Sequence, residues 1–419
     1  MPPSAEGLSK PPAKSRAERR SQARKKGKQP GSPGTHLAQV TDPDSVCEIS
    51  PPTCRSCGAD LEDSVVVGEE RRQVFELPDI RLQVTEHVAK RRRCRCGEMT
   101  TATFAPHVTA PACYGPKLRA LAVYLLVYQH LPYDRTARLF GDLLGQPVSV
   151  GTLQNMVREA SEATGPFIDK VRSMLRDADC VHFDETGGRV EGRLHWIHGA
   201  SDSLLTLLTC HTKRGRQAFD DMGVISHMSG IAVHDGFRPY QGYDVIHSLC
   251  NAHHLRELAA VEKPWADDLA LLLIAAKIQV QDAKADGRSA LVDERLRLIR
   301  DRYKEILFTA WMELDASEKT PKGAQSKEAN LICRLASKTD DVLRFCADFR
   351  APFDNNQAER DIRMVKLQQK ISGSWRSFGG AQSFLSVRSY VSTLRKNDRD
   401  ILTGLGLLFD GHAWLPGGT

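Results

Sequence analysis

The 419 residues lack several features that would have decided their class at once. No apolar run is long enough to span a bilayer. The longest, residues 118–131 with Arg119 inside and residues 269–276, fall short of the roughly 20 residues a spanning helix needs. Residues 1–30 have no apolar stretch of the kind a secretory leader carries. No G-x-x-x-x-G-K-[ST] loop occurs, so nucleotide hydrolysis is not indicated. No internal repeat is present. The 11 cysteines are odd in number and scattered through a long chain, which does not fit a disulfide framework. A cytoplasmic protein with reduced thiols and no membrane contact is expected.

Acidic charge is nearly absent from the first 30 residues. Nine Lys and Arg side chains stand there against Glu6 and Glu18. That segment carries +7 while the whole chain carries +6, so the other 389 residues sum to −1. A basic flexible arm, residues 1–50, is expected on a nearly neutral body, either seeking phosphate or simply solvating the chain. It ends in the turn-prone run Gln29-Pro30-Gly31-Ser32-Pro33-Gly34. Hydrophobic residues make up 41% of the chain, enough to bury a sizeable core in two or three domains.

Residues 51–100 hold two short-spaced cysteine pairs, Cys54-x-x-Cys57 and Cys94-x-Cys96, separated by 36 residues. Four thiolates can hold Zn²⁺ tetrahedrally, and paired spacing brings them together. The alternative is four free thiols in a small β unit. Between the pairs, residues 81–88 alternate in the β manner. Lys90, Arg91, Arg92, Arg93 and Arg95 lie against the second pair and would meet DNA phosphates.

The period then changes. Leu118, Leu121, Ala122, Leu125 and Leu126 repeat at helical spacing. Residues 132–144 read as a helix, and Ser149 caps another through residue 157. Two short helices across a tight turn suit a helix-turn-helix in region 101–177, with Thr152, Gln154, Asn155 and Arg158 offered to DNA; ordinary bundles contain such pairs too.

Residues 178–258 read as an α/β unit. Strands are expected at 180–183, 193–200, 204–211, 230–234 and 244–249, with helices near 215–222 and from 252. Residues 262–350 read as helical and charged, with a loop near 320–327, and Asn355 starts a further helix. An acid closes two of the apolar strands: Asp184 after Val181-His182-Phe183, and Asp235 after Ile231-Ala232-Val233-His234. Ligands collect at strand carboxyl ends in open α/β sheets. Two carboxylates held there repel unless a cation intervenes. Hard divalent ions prefer oxygen ligands, and two of them about 3.5–4 Å apart drive phosphoryl transfer. Glu359 supplies a third acid, with Arg363, Lys366 and Lys370 behind it on one helical face and Arg360 beside it. The alternative reading is two turn aspartates and a solvated helix charge. Cys250-x-x-His253 alone cannot complete a metal site, and a positioning role is favoured for it. His182 and His234 flank the acids, either to orient phosphate or to pack.

These residues carry a resemblance. The segments His182-Phe183-Asp184-Glu185-Thr186, His234-Asp235-Gly236-Phe237-Arg238-Pro239-Tyr240, Cys250-Asn251-Ala252-His253-His254-Leu255-Arg256-Glu257-Leu258 and 352–363, continuing to Arg388-Ser389-Tyr390, occur in one order. The chain resembles transposases of the insertion-sequence-66 family over residues 25 to 415. The resemblance implies a DDE enzyme of ribonuclease-H-like α/β fold, with a mixed sheet and a helical insertion at 262–350. It implies a catalytic domain over 178–400, a C-terminal tail at 401–419, and Asp184, Asp235 and Glu359 as catalytic acids on Mg²⁺ or Mn²⁺. It also implies a zinc unit at Cys54, Cys57, Cys94 and Cys96. Expected partners are double-stranded DNA, further copies of the chain, and accessory proteins of the element. A nuclease of the same fold, or a zinc-containing DNA binder without catalysis, remains the alternative.

Overall fold

The computed structural model describes residues 37–105, 107–315 and 326–417. The basic run of residues 1–30 and positions 320–325 of the expected loop lie outside them. The chain divides into two compact units, with the division at Leu82/Gln83. The first, through Leu82, is irregular and exposed. Its chain reversal at Cys54–Cys57 closes with Gly58 at φ +75° and a Thr53–Asp60 bridge.

In the second unit, residues 83–88 form no strand, and neither do residues 81 and 82 of the first. The alternation read at 81–88 has no partner strand, and Val84 and Val88 stay exposed; an alternating segment forms a strand only when a neighbour takes up its hydrogen bonds. The first strands are β1 (Arg91–Arg93) and β2 (Met99–Thr101), an antiparallel hairpin pairing Arg91 with Thr101 and Arg93 with Met99.

Four helices follow: α1 (Pro116–Val123), α2 (Tyr133–Leu144), α3 (Val150–Ala163) and α4 (Gly165–Arg176). A wider turn at Tyr124–Tyr128 extends α1. Ser149 caps α3 by accepting from the Thr152 amide at 3.1 Å. Then come β3 (Cys180–Val190), β4 (Arg193–Ser201), β5 (Thr206–His211), α5 (Arg216–Met222), β6 (Ile231–His234), β7 (Ile246–Leu249) and α6 (Asn251–Leu258). A helical segment runs through α7 (Pro264–Ala285), α8 (Asp293–Glu313), α9 (Lys327–Ser337), α10 (Thr339–Val342) and α11 (Arg344–Ala347). The chain returns with α12 (Asn356–Ser372), α13 (Phe378–Lys396) and α14 (Ile401–Phe409).

The five-stranded sheet is mixed, in the order β5-β4-β3-β6-β7. Strands β3, β4 and β5 pair antiparallel, while β3–β6 and β6–β7 are parallel. Helix α12 lies on β3 and β4. Gly188 permits that approach: a Cβ there would meet Ile197 Cδ1 at 2.5 Å and Gln369 Nε2 of α12 at 2.8 Å.

Two expected boundaries do not hold. One apolar core joins the helices before the sheet (Leu153, Phe167, Leu175) to the sheet itself (Phe183, Ile197) and to α13 (Leu385, Tyr390). Region 101–177 is therefore packed into the same body as the sheet. The segment read as a tail from 401 is helix α14, with Leu405 and Leu408 buried in that core. Its apolar residues repeat at helical spacing and Asp400 caps it through the Thr403 amide, 2.7 Å away. The helical segment has its own core, from Leu269 and Tyr303 to Leu335 and Phe345. Among the described residues no helix is long and apolar enough to cross a membrane.

Candidate active site and cysteine turns

Strand β3 sends alternate side chains to opposite faces of the sheet. Val181, Phe183 and Glu185 are buried on one side; His182 and Asp184 turn to the other, where α12 lies. The adjacent acids Asp184 and Glu185 therefore serve different surroundings. The Glu185 carboxylate is enclosed: Arg214 donates to Oε1 at 2.9 Å and Tyr240 to Oε2 at 2.8 Å. Arg214 lies 3.9 Å from the centre of the Phe237 ring. Burial, with the Asp235 charge, raises Glu185 to about 7 against the pull of Arg214 and Tyr240.

Asp184 stands beside Asp235. Parallel pairing matches His182 with Val233, two residues before each of the two aspartates. Burial first, then the charges of Glu185, Asp235 and Glu359, push the Asp184 carboxyl well above the usual range. Asp235 and Glu359 thus both lie within electrostatic reach of Asp184, but among the described residues the three carboxylates do not converge as a metal-sized cluster. Asp235 shapes its own turn, accepting from the Phe237 amide at 2.8 Å, while Gly236 takes φ +90°. That conformation suits glycine and penalises a side chain.

Glu359 comes from the first turn of α12. Arg256 Nη2 donates to its Oε1 at 3.2 Å, and His253 Nδ1 lies 3.7 Å from the same oxygen. Asn355, buried at the head of α12, fixes this helix to the strand. Its Nδ2 donates to the Phe183 carbonyl at 2.7 Å, its Oδ1 meets His182 Nδ1 at 2.8 Å, and its amide donates to Cys250 Sγ at 3.1 Å. Asn355 thus sets the distance between Asp184 and Glu359, a role its reading as a helix start did not reveal.

His182 is half-buried against Asn355, and His234 is fully buried. The Gly236 amide donates to His234 Nδ1 at 3.0 Å, so His234 Nε2 carries the proton and donates to His247 Nδ1, also at 3.0 Å. His247 Nε2 then donates to the Tyr243 carbonyl. Burial pushes His234 well below the usual imidazole range, keeping it neutral. The chain of bonds steadies the turn that presents Asp235. Arg256 and Asn355 were the functional candidates sequence reasoning missed; Arg256 sits one helical turn after His253 on α6.

Arg360, Arg363, Lys366 and Lys370 are exposed on α12. Lys366 Nζ donates to the Gly187 carbonyl at 2.6 Å, so it is tied to β3. On α3, Gln154, Asn155 and Arg158 are exposed while Leu153, Met156 and Val157 face the core. Thr152 is half-buried with its amide on the Ser149 cap, and Arg158 pairs with Glu162 at 2.7 Å.

Each cysteine pair occupies a tight turn. The Gly58 amide donates to the Cys54 carbonyl at 2.9 Å, and the Gly97 amide, with φ +96°, donates to the Cys94 carbonyl at 2.9 Å. Amides of Cys57 and Ser56, with the Cys57 side chain, hold the Cys54 thiol below its ordinary value. The Cys96 amide and side chain do the same for Cys94. Both turns therefore favour thiolate, the form a metal takes. Cys94 and Cys96 lie in the reversal between β1 and β2, with Arg91, Arg92 and Arg93 exposed on the preceding strand.

An uncharacterised protein of Sinorhizobium fredii, y4hP, is 24% identical across 84% of this chain and 69% of its own length. The model of the zinc-finger binding domain of transposase IS66 matches residues 51–97, a span that includes both cysteine turns. The chain therefore combines a zinc-finger domain, which supports a structural Zn²⁺, with an α/β domain of mixed sheet and many helices. The Transposase IS66 family model matches residues 111–383, from α1 through the sheet, the helical segment and Glu359, and the chain belongs to that family.

Proposed function

We propose that this chain cuts DNA at the ends of a mobile element and joins the freed 3′ ends to target DNA, with Asp184, Asp235 and Glu359 holding Mg²⁺ or Mn²⁺. Family membership carries transposition, and with it DNA as the partner. The observation that supports the finer reading is the charge crowding at Asp184, to which Asp235 and Glu359 both contribute. Three carboxylates offer only oxygen, as a hard cation wants, and such a cation relieves their repulsion. Bound there, divalent ions would activate the attacking oxygen and stabilise the leaving one. The sheet order, with three antiparallel strands followed by two parallel ones, supports reading the domain as ribonuclease-H-like.

The chain's own residues do the positioning. Asn355 and the β3–β6 register hold the three acids together. Arg256 orients Glu359. Arg360, Arg363 and Lys370 offer exposed charge to a DNA backbone; Lys366 joins them by leaving the Gly187 carbonyl. Cys54, Cys57, Cys94 and Cys96 are the proposed zinc ligands, with Arg91, Arg92 and Arg93 on phosphate. Gln154 and Asn155 are free to reach base edges from α3, while Arg158 does so only by giving up Glu162. Joining two ends needs at least two protomers, so a homo-oligomer on DNA is proposed, working in the cytoplasm with accessory proteins of the element.

Paired element ends, target DNA and Mg²⁺ provide the test. The parent chain should nick and join, and Asp235→Asn should lose both by about a thousandfold or more. Equal nicking by Asp235→Asn rules out this assignment. Nicking without joining by the parent leaves a nuclease.

A further inference from the structure

A second cluster lies behind Glu359. Cys250 Sγ, a His253 ring nitrogen and a Glu359 carboxylate oxygen all lie within 4.8 Å of one another. Among the described residues no other set of three His, Cys, Asp or Glu donors converges this closely. The sequence places two of them by simple means: Cys250 stands at the cap of α6 and His253 follows three residues later, on the same helical face. The third arrives from α12, which Asn355 anchors to Cys250.

Two features of the cluster ask for a ligand. His253 Nδ1 is buried and has no hydrogen-bond partner. A buried nitrogen left unpaired costs about 1–3 kcal/mol, so a group that uses its lone pair is expected. Cys250 Sγ, for its part, is already solvated by amides: that of Asn355 at 3.1 Å, and those of His253 and Ala252. Burial outweighs those amides and the α6 N-terminus and raises the Cys250 thiol to about 11, so a metal ion has to displace its proton.

We propose that Cys250, His253 and Glu359 form an additional metal site for a borderline divalent ion of the zinc class. A sulfur, a nitrogen and one carboxylate oxygen make a donor set that zinc accepts, with water or a second oxygen completing the tetrahedron. Magnesium does not compete for it, because it avoids sulfur and keeps an oxygen shell. Binding releases the Cys250 thiol proton to solvent. The ion would clamp α6 to α12 and hold Glu359 through one oxygen. A carboxylate has two, so this role is compatible with the one proposed for Glu359 above and does not depend on it.

Zinc content per chain, measured by elemental analysis on the full-length protein without DNA, provides the test. Cys250→Ser and His253→Gln should each lower it by one ion per chain relative to the parent. The ion that remains should be lost from Cys94→Ser/Cys96→Ser instead. Excess Mg²⁺ should leave the count unchanged. Because Cys250 is fully buried, His253→Gln, on a partly exposed helix face, decides the matter if Cys250→Ser misfolds. Circular dichroism identifies which variants fold. A folded variant of either kind that retains the parent's zinc content overturns the site. An inactive enzyme that still loses one ion on His253→Gln supports it, so failure here and failure of the catalytic proposal are distinguishable.

Discussion

The sheet-centred core and the helical segment between β7 and α12 both bury large apolar side chains, but only one of them buries chemistry. Around the sheet, Glu185, His198, His234, Asn355 and Arg388 are enclosed, most of them within hydrogen-bond networks. Between residues 264 and 347 no charged side chain is buried among the described residues; the buried polar groups are few, such as Thr339 and the Tyr303 hydroxyl, which donates to the Leu335 carbonyl at 3.1 Å. The ion pairs of that segment, such as Arg300–Asp340 at 2.8 Å and Lys263–Glu328 at 2.9 Å, lie towards its surface. An enclosed polar group is costly unless each donor and acceptor is matched. The sheet bears that cost where reactive groups must be held; the helical segment, resting on an apolar core, has no such groups to hold. The difference separates a site from a scaffold within one chain.

Substitutions on both sides would sharpen this contrast. The largest effect is expected from Asp184→Asn, which should reduce Mg²⁺-dependent nicking about a thousandfold or more. The same change should leave the melting temperature of the metal-free chain unchanged or raised, because it relieves repulsion with Asp235 and Glu359. Leu273→Ala, in the helical core, should do the reverse. A loss of about 2–5 kcal/mol in denaturant unfolding is expected, with nicking at low temperature close to that of the parent. If Leu273→Ala abolishes nicking while still folded, the separation of site and scaffold is wrong.

A smaller effect concerns His198, buried beneath Phe219 with Nε2 donating to the Lys213 carbonyl. Burial holds it down to about 4. A lowered imidazole value means the unfolded chain binds the proton first, near pH 6.5. Stability from this residue is thus complete above pH 6.5 and falls as pH drops towards 4, by up to about 3 kcal/mol. His198→Gln should flatten that part of the stability–pH curve, and an unchanged curve would refute the assignment. Asn355→Ala should cost about 1–3 kcal/mol by stranding the Phe183 carbonyl and should also slow nicking by misplacing Glu359. Retained nicking would remove Asn355 as a positioning residue. The smallest effect is expected at Lys370: its change to Ala should weaken DNA binding evenly across sequences and reduce the salt slope by about 1.

The sheet was largely legible because its strands alternate or run apolar, but the strand expected to end at 183 continues through Asp184 to Val190, because β4 pairs with it along that length. The expected strand at 193–200 is found at Arg193–Ser201, and that at 230–234 at Ile231–His234. Residues 81–88 misled because alternation predicts a strand only if another strand is there to pair with it. The tail expected at 401–419 is, among its described residues, mostly helix α14, and Gly404 fits directly against Leu394 of α13. Within the site, the acids could be picked out by their place after apolar runs. Asn355 and Arg256 could not, because an asparagine near a helix start and an arginine on a helix face are common, and their significance lies in which distant atoms they touch.

By itself the sequence determined the local matters: where most of the strands and helices begin, that Asp184 and Asp235 follow apolar runs, and that the cysteines come in short-spaced pairs. These follow from periodicity and spacing, which are properties of neighbours along the chain. Only the tertiary structure decided which distant groups meet: that β3 and β6 pair in parallel up to His182 and Val233, that Asn355 ties α12 to Phe183 and Cys250, and that Glu359 reaches both Asp184 and the pair Cys250 and His253. Such meetings depend on packing between segments far apart in sequence, where each contact is set by the shape of the whole core rather than by the residues beside it.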